Sequence, residues 1–430
     1  MSAHLWRRTY ASPRTFGVPA ARAVGCATRG PDRRLERRVT RLEQLASVSF
    51  HRLHLNVTAR CNLGCHHCYW PEHGANHEPS LDEIDTILLR FSAFCCSRHE
   101  IGTHSLTLGG GEPTLRDDLE RIIGLAIRRG YRVRLVTNGT LIDEPRARSL
   151  RRAGLLAVQV GVDAACEATY ERVRGAGGWR RMIAGVQALK QAHAFVILSF
   201  VLLPGINDVE SHRLLDLVRH LGVAGAKFAR PVCAGQALAA GLVCEGDHWS
   251  TFRAILEHAQ AIRYRRLLLV LDPLAHHLRT DRRHLTVSLP GLSTDLCQCN
   301  NTATVEIDGG TGAIYYCRVR TVLGNIWRDD LASVWRAHPL LAAVRRRTAV
   351  GACDGCPAWT GCRGGCPALA CWTPDMAMLQ DTACPKVRMQ SRRLEFPETE
   401  YSNARQLTPY ESLQRAGRRF RDLVYSMALR

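Results

Sequence analysis

Lysine is almost missing from this chain. Of the 58 basic residues among 430, only Lys190, Lys227 and Lys386 are lysine, so arginine carries nearly all of the formal charge of +19. Arginine spread this evenly reads as compositional bias rather than a binding face, and a nucleic-acid partner is not expected. Long apolar runs are also missing. The longest, Phe195 to Leu203, has the length of a strand and falls far short of the roughly 20 residues that cross a bilayer. No membrane segment is expected. Neither a secretory apolar core near the start nor an internal repeat is found. The first fifty residues are rich in arginine and poor in acids, as organelle transit sequences are, but residues 32–45 read as an ordinary charged helix.

Cysteine, by contrast, is abundant, with eighteen in the chain. A chain of this length with 46% apolar and 23% charged residues can bury a core without disulfide staples. The cysteines are therefore assigned to a reducing compartment, the cytoplasm, where clustered thiolates mean metal.

Strand and helix patterns alternate from residue 51 onward. His51–Thr58 places Leu53, Leu55 and Val57 on one face of a strand, and Ser80-Leu-Asp-Glu83 is a capping box opening a helix. Further strands are read at 104–108, 132–137, 155–162, 194–203 and 226–230, with helices between them. Six such units with short connections imply parallel strands and right-handed crossovers. The fold class is α/β, a partial (β/α)6 TIM-like barrel, with chemistry expected at the C-terminal strand ends. Residues 236–290 form a looser bridge with one helix (249–262) and one strand (267–271). From Gly291 to Val387 there are nine cysteines and little regular periodicity, followed by a basic tail.

Cys61, Cys65 and Cys68 follow the first strand directly, and Tyr69 comes next. Three thiolates at this spacing can hold three corners of an iron–sulfur cube and leave the fourth iron open. The rival is zinc, with His66 or His67 as fourth ligand. The Cys-x3-Cys-x2-Cys-aromatic loop resembles the signature of the radical SAM superfamily. The resemblance implies a 4Fe–4S cluster on Cys61, Cys65 and Cys68, with S-adenosylmethionine on the open iron and Tyr69 near the adenine. Reductive cleavage would then yield a 5′-deoxyadenosyl radical that abstracts a substrate hydrogen. Gly109-Gly110-Gly111-Glu112-Pro113 at the second strand end resembles the family motif for the methionyl amino group. Asn138, in Thr137-Asn138-Gly139-Thr140, matches the turn near the ribose. Asp163 ends Val160-Gly161-Val162-Asp163, where the family often has Ser-Leu-Asp; Gly161 replaces that serine.

The second cysteine field resembles the SPASM extension, which carries one or two auxiliary 4Fe–4S clusters. Cys353, Cys356, Cys362 and Cys366 are spaced Cys-x2-Cys-x5-Cys-x3-Cys, and Cys317 ends a hairpin read at 303–307 and 313–316. The resemblance implies an outer cluster on Cys353, Cys356, Cys362 and Cys384. It implies an inner one on Cys317 and Cys366 with Cys299 and Cys297, for which Cys371 could substitute. Two ribbon-type zinc sites are the alternative. Arg318 stands where sulfatase-maturing members carry an aspartate base, leaving the general base unassigned. Arg230, at the sixth strand end, could meet an anion, and the adjacent histidines His276-His277 are read as a solvated face.

The expected organisation is a basic extension (1–50), a radical SAM core (51–235), a bridge (236–290), an auxiliary-cluster domain (291–387) and a basic tail (388–430). The expected function is hydrogen abstraction from a peptide, with a small molecule such as a sugar or cofactor precursor as the alternative. A zinc-stabilised nucleic-acid-binding protein is the non-enzyme alternative. A flavodoxin or ferredoxin would donate electrons. No winged-helix pattern precedes the cluster loop, so a separate peptide-recognition protein is expected.

Overall fold

The computed structural model describes residues 51–70, 77–97, 104–155, 157–232, 234–240, 247–280, 292–293, 302–369 and 380–388. The charged helix read at 32–45, the tail beyond 388, and Cys297, Cys299 and Cys371 lie outside the described residues.

The elements follow in the order β1 (Arg52–Thr58), α1 (Leu81–Ser97), β2 (Ser105–Gly110), α2 (Leu119–Arg128), β3 (Arg132–Thr137), α3 (Glu144–Arg152) and β4 (Ala157–Gly161). Next come α4 (Glu167–Arg174), α5 (Trp179–Gln191), β5 (Phe195–Val201), α6 (Ser211–Leu221), β6 (Gly225–Ala229), α7 (Gly235–Ala239), α8 (His248–Ala261) and β7 (Leu267–Val270). The last group is α9 (Ala275–Thr280), β8 (Leu292–Ser293), β9 (Thr304–Asp308), β10 (Ala313–Tyr316), β11 (Val319–Asn325), α10 (Leu331–Ala337), α11 (Pro339–Arg345) and α12 (Trp359–Cys362).

One sheet holds every strand among the described residues, in the order β11-β10-β9-β1-β2-β3-β4-β5-β6-β7-β8. Strands β1 to β8 pair in parallel, so the parallel run extends two strands beyond the six units read from sequence. On the other side β9 joins β1 in parallel, and β10 and β11 follow as an antiparallel meander. The region beyond Gly291 is thus less irregular than its sequence suggests, since it supplies the third meander strand and three short helices.

The alternation in each strand sets two chemistries on the two faces. Leu53, Leu55 and Val57 of β1 are fully buried with Leu106, Leu108, Leu198, Phe200, Val305 and Ile307, and this face packs on the helices. The opposite face is polar: His54, Asn56, Thr107, Arg134, Gln159, Lys227 and Glu306 point to the concave side. Local signals act as expected. Ser80 and Glu83 cap each other's backbone N–H at the start of α1, and Asp143 accepts from Arg146 N at the start of α3. Gly222 ends α6 in the left-handed conformation.

Candidate active site

The cysteine loop leaves the C-terminal end of β1 and is stitched to the end of β2. Gly111 N donates to Thr58 O at 2.8 Å, and Glu112 N donates to Arg60 O at 2.8 Å. The backbones approach so closely that a Cβ at Gly110 would stand 2.2 Å from Thr58 O, and one at Gly111 would stand 2.2 Å from Arg60 O. Gly110 also has φ +116°. These two glycines therefore hold the cysteine loop in place; their shape serves the loop and not only an incoming ligand.

Glu112 is fully buried. Its carboxylate accepts hydrogen bonds from Thr114 N at 3.0 Å, Thr137 Oγ1 at 2.7 Å and Asn138 N at 2.6 Å, and from the Thr114 hydroxyl. Burial pushes its pKa up, against those hydrogen bonds. Asn138 in turn donates to Asn62 Oδ1 at 2.8 Å, and Asn62 donates to Thr140 Oγ1 at 2.9 Å. Glu112 and Asn138 thus tie the ends of β2 and β3 to the cysteine loop.

Asp163 follows β4 with φ 57° and is 1% exposed. Arg174, the last residue of α4, donates to it through Nε at 2.8 Å and Nη2 at 2.5 Å, and His67 Nε2 lies 2.9 Å away. Val201 N donates at 2.6 Å to the other carboxylate oxygen. Burial opposes this carboxylate, but Arg174 and His67 outweigh it and hold its pKa well below the usual range. Arg174 also directs Nη1 toward Cys65 Sγ, at 3.8 Å. The guanidinium fills the space over Gly161, where a Cβ would meet Nη2 at 2.2 Å. A side chain at 161 would have to displace the Arg174 guanidinium, which the sequence pattern does not reveal because α4 is not read from it as a helix.

Cys61, Cys65 and Cys68 are part-buried and close enough to influence one another's ionisation. Burial pushes all three thiols up, with Arg174 pulling the other way. Thiolates here call for a cationic centre between them. Three thiolates at this spacing would suit an iron–sulfur cube.

Beside the loop, Arg318 lies over the Tyr69 ring at 5.3 Å, and Arg320 lies over Trp70 at 4.6 Å and Tyr315 at 4.1 Å. Burial pushes the Tyr69 phenol up. Fully buried Glu306 accepts from Asn56 at 3.0 Å and lies 3.4 Å from Arg320 Nη1, with its second oxygen unpartnered. His54 is pushed down to about 3, by burial first and then by Arg318, Arg134, Lys227 and Arg320. Cationic side chains thus crowd the concave face around Glu306.

Farther along the chain, Cys353, Cys356, Cys362 and Cys384 line one cavity together with His277, Trp359 and Asp381. Cys317 and Cys366 lie elsewhere; both act on the Arg318 guanidinium and pack on the main core. Arg230 is 3% exposed and fully engaged. It donates to Asp381 at 2.9 and 2.6 Å and to Asp272 at 3.0 Å, with a further short bond from Nε. It meets protein carboxylates, not the incoming anion considered from sequence. His277 was also misread: it is 8% exposed and lies against a thiol, not on a solvated face.

A family model described as the radical SAM superfamily matches residues 55–218. Those residues are a radical SAM domain. The matched span runs from within β1 into α6, and so contains the cysteine loop, Glu112, Asn138 and Asp163. Over 175 residues, 40% of this chain, the sequence is 34% identical to a GTP 3′,8-cyclase of Stenotrophomonas maltophilia. The match spans 52% of that cyclase, so the chain covers about half the length of such relatives. A longer match runs past the radical SAM domain: 24% identity over 357 residues to the mycofactocin maturase MftC of Mycobacterium ulcerans, 80% of this chain and 92% of that protein. In fold, the chain resembles SuiB of Streptococcus suis bound to its precursor peptide SuiA, with TM-score 0.62, 16% identity and coverage of 86% and 85%. These two matches are thus longer than the radical SAM domain and extend beyond it. No described helix is long and apolar enough to cross a membrane.

Proposed function

We propose that the chain is a radical SAM enzyme that abstracts a hydrogen atom from a peptide. Cys61, Cys65 and Cys68 hold a 4Fe–4S cluster, and Cys353, Cys356, Cys362 and Cys384 hold an auxiliary one, dividing the chain into a core (51–235) and an auxiliary-cluster domain (291–387). When bound at the triad, the cluster and S-adenosylmethionine supply a 5′-deoxyadenosyl radical by one-electron reductive cleavage. The carrying observation is the mouth of the barrel: three thiols on a loop braced by Gly110, Gly111, Glu112 and Asn138, with Arg174 set between Cys65 and Asp163.

The protein's own groups fix geometry and charge. Glu112 and Asn138 hold the ends of β2 and β3 against the loop. Tyr69 is kept neutral and clamped by Arg318. Arg134, Lys227, Arg318 and Arg320 give the concave face a positive potential suited to an anionic group of the substrate. A peptide is supported by the match to MftC over 80% of the chain and by the fold shared with peptide-bound SuiB. The cyclase match favours a small-molecule alternative, but it covers only 40% of the chain. A cytoplasmic flavodoxin or ferredoxin would supply electrons, and a separate protein would present the peptide.

The test is anaerobic reconstitution followed by dithionite and S-adenosylmethionine. Release of 5′-deoxyadenosine from the native chain and its loss in Cys65→Ala are expected. Undiminished release from Cys65→Ala would show that the triad is not the site. Adding GTP or short peptides then separates the two substrate classes by which one accelerates release.

A further inference from the structure

The cavity lined by four thiols has a fifth polar wall from outside the cysteine-rich segment. His277 lies in the first turn of α9, which follows β7 of the barrel, and its Nε2 is 3.8 Å from Cys384 Sγ. The imidazole is held on several sides. Trp249 meets it edge-on, with ring centroids 5.8 Å apart at 87°. Asp272 fixes the start of the turn by accepting from Leu274 N at 2.8 Å, and Asp272 is itself gripped by Arg230. The next helix face is packed too, since a Cβ at Gly361 would stand 2.2 Å from His276 Nδ1. An imidazole nitrogen at this distance from the sulfur can offer a metal-bound thiolate an N–H donor.

We propose that His277 donates an Nε2–H hydrogen bond to Cys384 in the loaded auxiliary centre, and that this bond raises the cluster's reduction potential. Adding an electron makes the cluster more negative, so a hydrogen bond to its sulfur ligand strengthens on reduction and favours the reduced state. The inference rests on the reading of Cys353, Cys356, Cys362 and Cys384 as cluster ligands. It goes further by making a barrel residue a positioning and tuning group, so that the potential reports how the barrel meets the cysteine-rich region.

The experiment uses the full chain carrying Cys61→Ala, Cys65→Ala and Cys68→Ala, so that only auxiliary iron remains. Iron and acid-labile sulfide are counted, and the paramagnetic signal that Cys356→Ala removes is followed in a redox titration. His277→Leu removes the donor at similar size, with His277→Phe as a second donor-free variant should the first not fold. His277→Gln restores an N–H near the Nε2 position. Iron content equal to the parent, a more negative potential without the donor, and recovery with glutamine are expected. A potential that does not move, or that moves equally in the glutamine variant, overturns the proposal. Loss of about four irons from every His277 variant would instead make His277 a ligand and overturn it. A parent holding no iron or sulfide would refute the auxiliary-cluster reading itself, and the proposal with it.

Discussion

Asp163 shows how a single buried carboxylate can organise a cluster loop. It balances the Arg174 charge, orients His67 and accepts the Val201 N–H. Asp163→Asn leaves a buried guanidinium without its counter-charge, and we expect a loss of about 3–5 kcal/mol in denaturant unfolding. The pH dependence has a definite sign. The carboxyl is depressed on folding, so its contribution is full above the ordinary carboxylate range of about 4 and fades as the pH falls below it. Wild type should lose stability over that acid range more steeply than Asp163→Asn. Gly111→Ala makes a separate case, because the added Cβ collides with the backbone of Arg60, not with a flexible side chain. It should fold yet reconstitute with about four fewer irons per chain than the wild type; full iron loading would show that the loop tolerates displacement. The placement of the triad and the glycine run at adjacent strand ends was legible in sequence, because each directly follows a strand pattern. Arg174 was not: its value lies in contacts with residues 11 and 109 positions away.

At the level of elements, the cysteine-rich region behaves as two pieces. The hairpin carrying Cys317 continues the barrel sheet through β9, while Cys353, Cys356, Cys362 and Cys384 gather around their own cavity. Removing a ligand from one should spare the other. Cys356→Ala is expected to lower iron by about four per chain while reduced protein still cleaves S-adenosylmethionine, measured as 5′-deoxyadenosine. Loss of all iron would mean that the pieces do not load independently. The parallel strands could be read from the alternation of apolar residues in Leu53, Leu55 and Val57 and from the glycine and Asx punctuation between units. The third meander strand escaped notice. Val319–Asn325 carries Arg320 and Gly324 among its apolar residues, and its pairing with β10 is a tertiary fact that local pattern cannot supply.

Across the whole molecule, one buried ion cluster joins the last barrel strands to the auxiliary region. Arg230 comes from the end of β6, Asp272 follows β7, and Asp381 accepts from Cys366 N at 3.3 Å and Ala383 N at 3.0 Å. Arg230→Met strands two carboxylates face to face and should cost about 3–5 kcal/mol in thermal or denaturant unfolding. Adding Asp272→Asn and Asp381→Asn should recover much of that loss, because the penalty is unpaired charge and not missing bulk. The sequence showed Arg230 at a strand end but could not show that its partners lie 42 and 151 residues onward. The proposed function centres on the barrel mouth, where three thiols would leave one iron open. The most direct measurement is the electron paramagnetic resonance spectrum of the reduced chain carrying Cys356→Ala and Cys317→Ala, recorded before and after S-adenosylmethionine is added. A single reduced cubane whose signal changes with the ligand is the predicted result. No cubane, or a signal indifferent to S-adenosylmethionine, would contradict it.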